Sequence, residues 1–294
     1  IKVAKAHLEN WGGFMRFTCV VLLGLILALT SAVRAKTTCD EKHGKVCVEA
    51  VATSDTVTFY AENRFDLVPV TLNIDLTLRN LQLQSGDNGP FVLEGKDRIA
   101  LFTLRSIQPT AWRYRYEFTF SRGDVTAQHD NGYRYRLPFE EGRAVAIGQG
   151  CNGRFSHIGY QRYAVDFVMP IGTPILAARE GRVVAVKEDA NRGGPSRAFE
   201  DDGNYVMVLH NDRTIAQYFH LTQNGAEVRL GQTVQRGQLL GYSGNTGRST
   251  GPHLHFDVVK GAVGIESETL PITFQSANGP ISCPAEGTRL NASR

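Results

Sequence analysis

Apolar and polar positions alternate with a period of two along most of the chain. In "VTLNIDLTL" (70–78), Val70, Leu72, Ile74, Leu76 and Leu78 fall on one face and Thr71, Asn73, Asp75 and Thr77 on the other. "WRYRYEFTF" (112–120) sets aromatic residues against Arg113, Arg115, Glu117 and Thr119, and "YRYRL" (133–137) repeats the pattern. Turn signals at 85–90, 121–124 and 130–132 separate these runs. One apolar face per strand, with turns at short spacing, predicts an antiparallel β-sandwich, immunoglobulin-like in size, over residues 36–138. No metal spacing or nucleophile motif falls within it, which suits an accessory or binding role.

The glycine-bearing stretch "PFEEGRAVAIGQG" (138–150) has few apolar positions and reads as a seam between domains. Beyond it, short strands are predicted at 173–178, 182–187, 205–210, 214–220, 239–243 and 255–259, punctuated by glycines. No segment carries a long helical period, so the expected fold class is all-β. A second compact antiparallel domain is expected over 139–268. Residues 269–294 read as an irregular tail, partly disordered beyond Cys283.

Residues 1–35 change the picture of charge and cysteine content. "MRFTCVVLLGLILALTSAVRA" (15–35) has a basic residue, a short apolar core and small residues at Val33 and Ala35. It reads as an export signal with Met15 as the start and cleavage after Ala35. The apolar run is shorter than the ~20 residues of a spanning helix, so no membrane span is expected after cleavage. Within 1–35, Lys2, Lys5, Arg16 and Arg34 against Glu9 account for the chain's whole formal charge of +3. The remainder is near neutral and has no basic field for nucleic acid. Export to the periplasm or the exterior leaves four cysteines, which allow three pairings. Cys39 with Cys47 and Cys151 with Cys283 are the pairs expected.

Candidate chemistry sits in the histidines. In "GPHLHFDVV" (251–259), strand alternation sends His253 and His255 to one side, roughly 6–7 Å apart, while Leu254 turns away. His157 and Asp166 lie in "SHIGYQRYAVDF", where Asp166 interrupts apolar residues and needs a cationic partner. His220 ends "AQYFHL". Two imidazoles and a carboxylate suit a catalytic Zn²⁺ with a fourth position for water. His210 reads as a surface or turn residue, and His7, His43 and His129 as bystanders. The polar segment 188–203 reads as an insertion that walls the cleft.

Taken in order, "FSHIGYQRYAVDFVMPIGTPILAAREGRVVAV", "QYFHL" and "GQTVQRGQLLGYSGNTGRSTGPHLHFDV" resemble the three blocks of the lysostaphin/LytM-type zinc metallopeptidases, peptidase family M23. The resemblance covers roughly residues 146–260. It implies one zinc ion held by His157, Asp166 and His255. It places His220 and His253 beside the catalytic water, with base and oxyanion roles undivided. The eight residues between His157 and Asp166 depart from the family's usual three. The implied activity is hydrolysis of peptide cross-links in peptidoglycan. A catalytically silent activator of cell-wall amidases and a cell-wall binding protein remain the alternatives, and the N-terminal domain is the expected contact for a regulatory envelope protein.

Overall fold

The alternating segments are strands in the computed structural model, which describes residues 17–20, 34–264 and 266–293. Among these, helix is limited to two 3-10 segments, Gly159–Gln161 and Arg197–Asp202. None is long and apolar enough to cross a membrane. Most of the expected export signal lies outside the described residues. Its Phe17–Val20 pair with Arg113–Arg122, and its last two residues begin the strand Arg34–Cys39.

Two sheets make the N-terminal unit. One has five strands, in the order Arg34–Cys39, Val46–Ala52, Thr56–Asn63, Arg98–Ser106 and Leu81–Gly86. The other runs Phe17–Val20, Arg113–Arg122, Val70–Arg79 and Phe91–Leu93. The apolar faces predicted from alternation meet between them, with Val48, Phe59, Val70, Leu72, Leu104 and Phe118 fully buried. Exchanging such a face with the polar one would take a one-residue slip, which burial forbids.

A nine-stranded sheet organises the second unit. Its order is Thr233–Val234, Gly181–Lys187, Tyr205–Leu209, Ile215–Phe219, His253–Lys260, Val165–Val168, Ala144–Gln149 and Arg289–Asn291, with Glu268–Thr269 pairing to His253–Lys260. Alternation divides each strand between two faces. Val165, Phe167, Val206, Tyr218, Leu254 and Phe256 point into the main core. On the opposite face, Val184, Met207, Ile215 and Val259 form an apolar half, covered by Phe65, Leu67 and Val68 of the N-terminal unit. The other half of that face carries the ionisable residues.

Three expectations need correction. Residues 138–150 are not a seam: Ala144–Gln149 is an inner strand whose Val145 and Ile147 are buried in the core, while a bulge between Ile147 and Gln149 turns Gln149 to the other face, opposite Asp166. "YRYRL" does not join the N-terminal sheets, because Arg134–Arg136 pairs in parallel with Thr273–Ser276 and buries Tyr135 in the second core. The C-terminal segment is ordered rather than irregular. Thr273–Ser276 and Gly279–Ser282 form a hairpin, Arg289–Asn291 closes the sheet edge, and Phe274 and Leu290 are buried. Few apolar residues anchor this segment, so composition alone conceals its order. Both expected disulfides are present, Cys39–Cys47 across one hairpin and Cys151–Cys283 over a separation of 132 residues.

Candidate metal centre and active site

Antiparallel pairing of Val165–Val168 with His253–Lys260 places Asp166 opposite His255 and Val168 opposite His253. The side chains of Asp166, His253, His255 and Asp257 therefore share the face turned from the core. His157 arrives from the loop after Cys151, fully buried, and His220 from the end of Ile215–Phe219. All five residues expected from the sequence converge here. The insertion 188–203 also lines the cleft, through Glu200, Asp201 and Gly203.

His157 Nε2, Asp166 and His255 present ligand atoms that all lie within 4.8 Å of one another. Asp166 Oδ1 is 2.9 Å from His255 Nδ1 and 3.2 Å from His157 Nε2. Hydrogen bonds to backbone and carboxylate fix which nitrogen of each ring is left over. His157 Nδ1 donates to Gly150 O at 3.0 Å, so its Nε2 carries a lone pair toward Asp166. That Nε2 is buried without a hydrogen-bond partner. His255 Nε2 lies 3.2 Å from Asp257 Oδ2, which leaves Nδ1 for the cluster. A lone pair aimed at a carboxylate oxygen is repulsive until a cation stands between them, and two nitrogens with one carboxylate oxygen are a donor set for zinc. The residues present thus fit a metal ion.

The other two histidines are oriented in the same manner but stand beside the cluster. His253 Nδ1 donates to Gly251 O at 2.7 Å, and its Nε2 is 3.7 Å from Asp166 Oδ1. His220 Nδ1 donates to Thr246 O at 2.7 Å. The two rings lie 4.5 Å apart, centroid to centroid. His220 adopts φ 65°, a left-handed backbone between the strands Ile215–Phe219 and Leu221–Ala226. A Cβ on Gly244 would stand 2.8 Å from His220 O and 2.5 Å from Thr222 N, so glycine permits that close approach.

Electrostatics separate the residues. Burial works against charge on Asp166, yet the adjoining imidazoles of His157 and His255 hold its carboxyl well below the usual range. Burial also disfavours an imidazolium at His255, but Asp166 and Asp257 outweigh it and raise its pKa to about 10, so that a metal ion would take the place of the proton on Nδ1. His220 moves the other way, to about 3, because burial dominates and His253 adds repulsion. Burial likewise lowers His253. The pair is therefore neutral at physiological pH, with two free Nε2 lone pairs.

Two site residues escaped the sequence reading. Gln149 Nε2 donates to Asp166 Oδ2 at 3.2 Å and to Ser156 Oγ at 2.8 Å. Its Oε1 accepts from the backbone N–H groups of Phe155 and Ser156, each at 3.0 Å. One amide thus ties the loop bearing His157 to the strand bearing Asp166. Asp257 backs His255 from behind, and its signal was available, since it continues the same alternation from His253 and His255. His210, read as a surface or turn residue, closes the turn but is buried, with Nδ1 on Thr214 Oγ1 at 3.0 Å.

Comparison with known proteins places this geometry. Residues 160–267 match peptidase family M23. That segment contains Asp166, His220, His253 and His255, while His157 lies three residues before it. The chain is 38% identical over 118 residues to the peptidoglycan DD-endopeptidase ShyA of Vibrio cholerae, covering 40% of this chain and 23% of that protein. It is 36% identical over 122 residues to lysostaphin of Staphylococcus simulans, covering 41% of this chain and 22% of that protein. The solved catalytic domain of the same lysostaphin is 35% identical, with a TM-score of 0.28, over 44% of this chain and 77% of that one. The chain therefore spans about a quarter of the length of these curated relatives.

Proposed function

With a peptidase family M23 domain in this chain, we propose that the protein is an exported zinc metalloendopeptidase that hydrolyses peptide cross-links of peptidoglycan. The observation that carries the reading is the convergence of His157 Nε2, Asp166 and His255 Nδ1, with His220 and His253 alongside. The ligand and catalytic roles assigned to these residues belong to the same proposal. So does the division into an immunoglobulin-like accessory unit and a peptidase unit.

His157, Asp166 and His255 would hold one zinc ion. When bound, the metal makes its water available as hydroxide near neutral pH and polarises the scissile carbonyl. The chain's own residues supply the rest. Asp257 and Gly150 O fix the rings of the two ligand histidines, and Gln149 fixes the carboxylate. His253 Nε2, nearer to Asp166, accepts the proton of the attacking water. His220 Nε2, unprotonated because its Nδ1–H is committed to Thr246 O, accepts a hydrogen bond from the water's second O–H, which stays on the oxygen, and so orients it. The imidazolium formed at His253 then donates to the departing amine. Neither ring offers an Nε2–H before that transfer, so oxyanion stabilisation by an imidazole follows proton uptake.

Digestion of cross-linked muropeptide dimers tests the reading. The whole chain, with no amidase added, should convert dimers to monomers, stop with phenanthroline and recover with zinc. If it leaves dimers intact yet stimulates a separate amidase to release stem peptides, it is an activator and not a peptidase. A binding protein would do neither.

A further inference from the structure

A cavity of about 920 Å³ runs from His220, His255 and Asp257 to residues of the N-terminal unit. The sheet floor beneath it is shared between the polar half, where the histidines stand, and the apolar half that Phe65 covers. Anything lying along the cleft in that direction meets His43, Phe120 and Arg122. We propose that the N-terminal unit supplies a carboxylate-binding subsite, in which Arg122 and His43 hold a carboxylate of the peptide substrate. The inference rests on the peptidase reading above.

Arg122 is anchored but not neutralised. Its carbonyl accepts from Ser267 Oγ at 2.6 Å, and the preceding Ser121 exchanges hydrogen bonds with Ala262 at 2.9 and 2.8 Å. Its guanidinium stands 5.3 Å from the Phe65 ring centroid. Among the described residues it forms no ion pair within 4 Å, although it lines the cavity.

His43 is presented by an equally firm support. It lies in the turn between Arg34–Cys39 and Val46–Ala52, which Cys39–Cys47 staples. Buried Asp40 closes that turn by accepting from the N–H groups of His43, Lys45 and Val46 at 2.8, 2.6 and 2.8 Å. Lys42 pairs with Asp201 at 2.6 Å, tying the turn to the insertion on the far wall. Desolvation first, then Arg122 and Lys42, hold the His43 pKa below its ordinary value, against the opposing pull of Asp40 and Asp201. Glu200 and Glu266 also line the cavity, with Glu266 within electrostatic reach of Lys42 and Arg122. A cavity lined by both cations and acids matches a peptide carrying a carboxylate and an ammonium group.

Binding of an uncross-linked stem peptide to the whole chain tests this by calorimetry, since that peptide offers no cross-link to cut. The free-carboxylate peptide should bind the parent more tightly than its methyl ester. Arg122→Gln should weaken the free peptide about tenfold, the scale of one charge-assisted contact. Arg122→Lys should recover most of that loss, and His43→Gln, in an exposed turn, should show a smaller one. The subsite is overturned if the parent binds neither peptide or both alike. It is also overturned if Arg122→Gln binds more tightly, which would make this wall an obstruction. Failure of the peptidase reading shows separately, as a parent that binds the free peptide but leaves dimers uncut.

Discussion

His255 is held between two carboxylates, with Nδ1 2.9 Å from Asp166 Oδ1 and Nε2 3.2 Å from Asp257 Oδ2. Asp257 is 4% exposed, and its second oxygen, Oδ1, has no hydrogen-bond partner. The carboxylate therefore acts on the ring it faces. Asp257→Asn should weaken zinc binding by about 10–100-fold, the usual effect of removing such a backing group. Competition with a chromophoric chelator measures this, and an unchanged affinity would show that the ring is positioned by the strand alone.

Asp166→Ala removes the oxygen on which the His157 and His255 nitrogens converge. Metal analysis of that variant should show zinc lost or strongly reduced. Full retention would take Asp166 out of the site.

Alanine at His220 or His253 should cut turnover by roughly 10²–10⁴-fold while zinc stays bound. If His253→Ala instead lost the metal, the two members of the H-x-H pair would exchange roles.

Gln149→Leu keeps the side chain's bulk but frees the loop from the strand. Zinc affinity should fall, while Gln149→Glu, which cannot donate to Asp166, should fall further through like-charge repulsion. Equal affinities for parent and both variants would leave Gln149 a bystander.

Acid sensitivity should come from neutral histidines as well as from the site. Burial first, and Arg179 second, push the His210 pKa to about 3. The unfolded chain takes up a proton near pH 6.5 that the folded one refuses until about pH 3. Stability is therefore fully present above 6.5 and falls with pH through that window, by about 1.4 kcal/mol per unit for each such group. His210→Gln should flatten the slope in urea unfolding series taken across that range. An identical slope would place the effect elsewhere, with His220 the next group to replace.

Strand alternation made the H-x-H face and most strands legible, because period two is written in adjacent residues. Asp166 was legible for the opposite reason: a carboxylate among Val165, Phe167 and Val168 contradicts its surroundings. What stayed hidden depends on partners distant in sequence. Ala144–Gln149 is a strand because Arg289–Asn291 and Val165–Val168 flank it, and its short run of small residues carries no period of its own. Gln149 shared that obscurity. The strand Arg134–Arg136 alternates as expected, but nothing in "YRYRL" names its partner 139 residues away.

The apolar half of the nine-stranded sheet also bears on how the chain can be divided. Val184, Met207, Ile215 and Val259 are dry only because Phe65, Leu67 and Val68 lie on them. A cut near Glu140 would strip that cover, and with it Arg134–Arg136 and the buried Tyr135. The product would be a sticky fragment, prone to self-association through the bared patch. Family resemblance marks out a catalytic module, but in this molecule the module has become a tenant of its neighbour. Engineering that swaps or deletes the N-terminal unit would have to re-surface those four positions with polar side chains before asking what the catalytic half does alone.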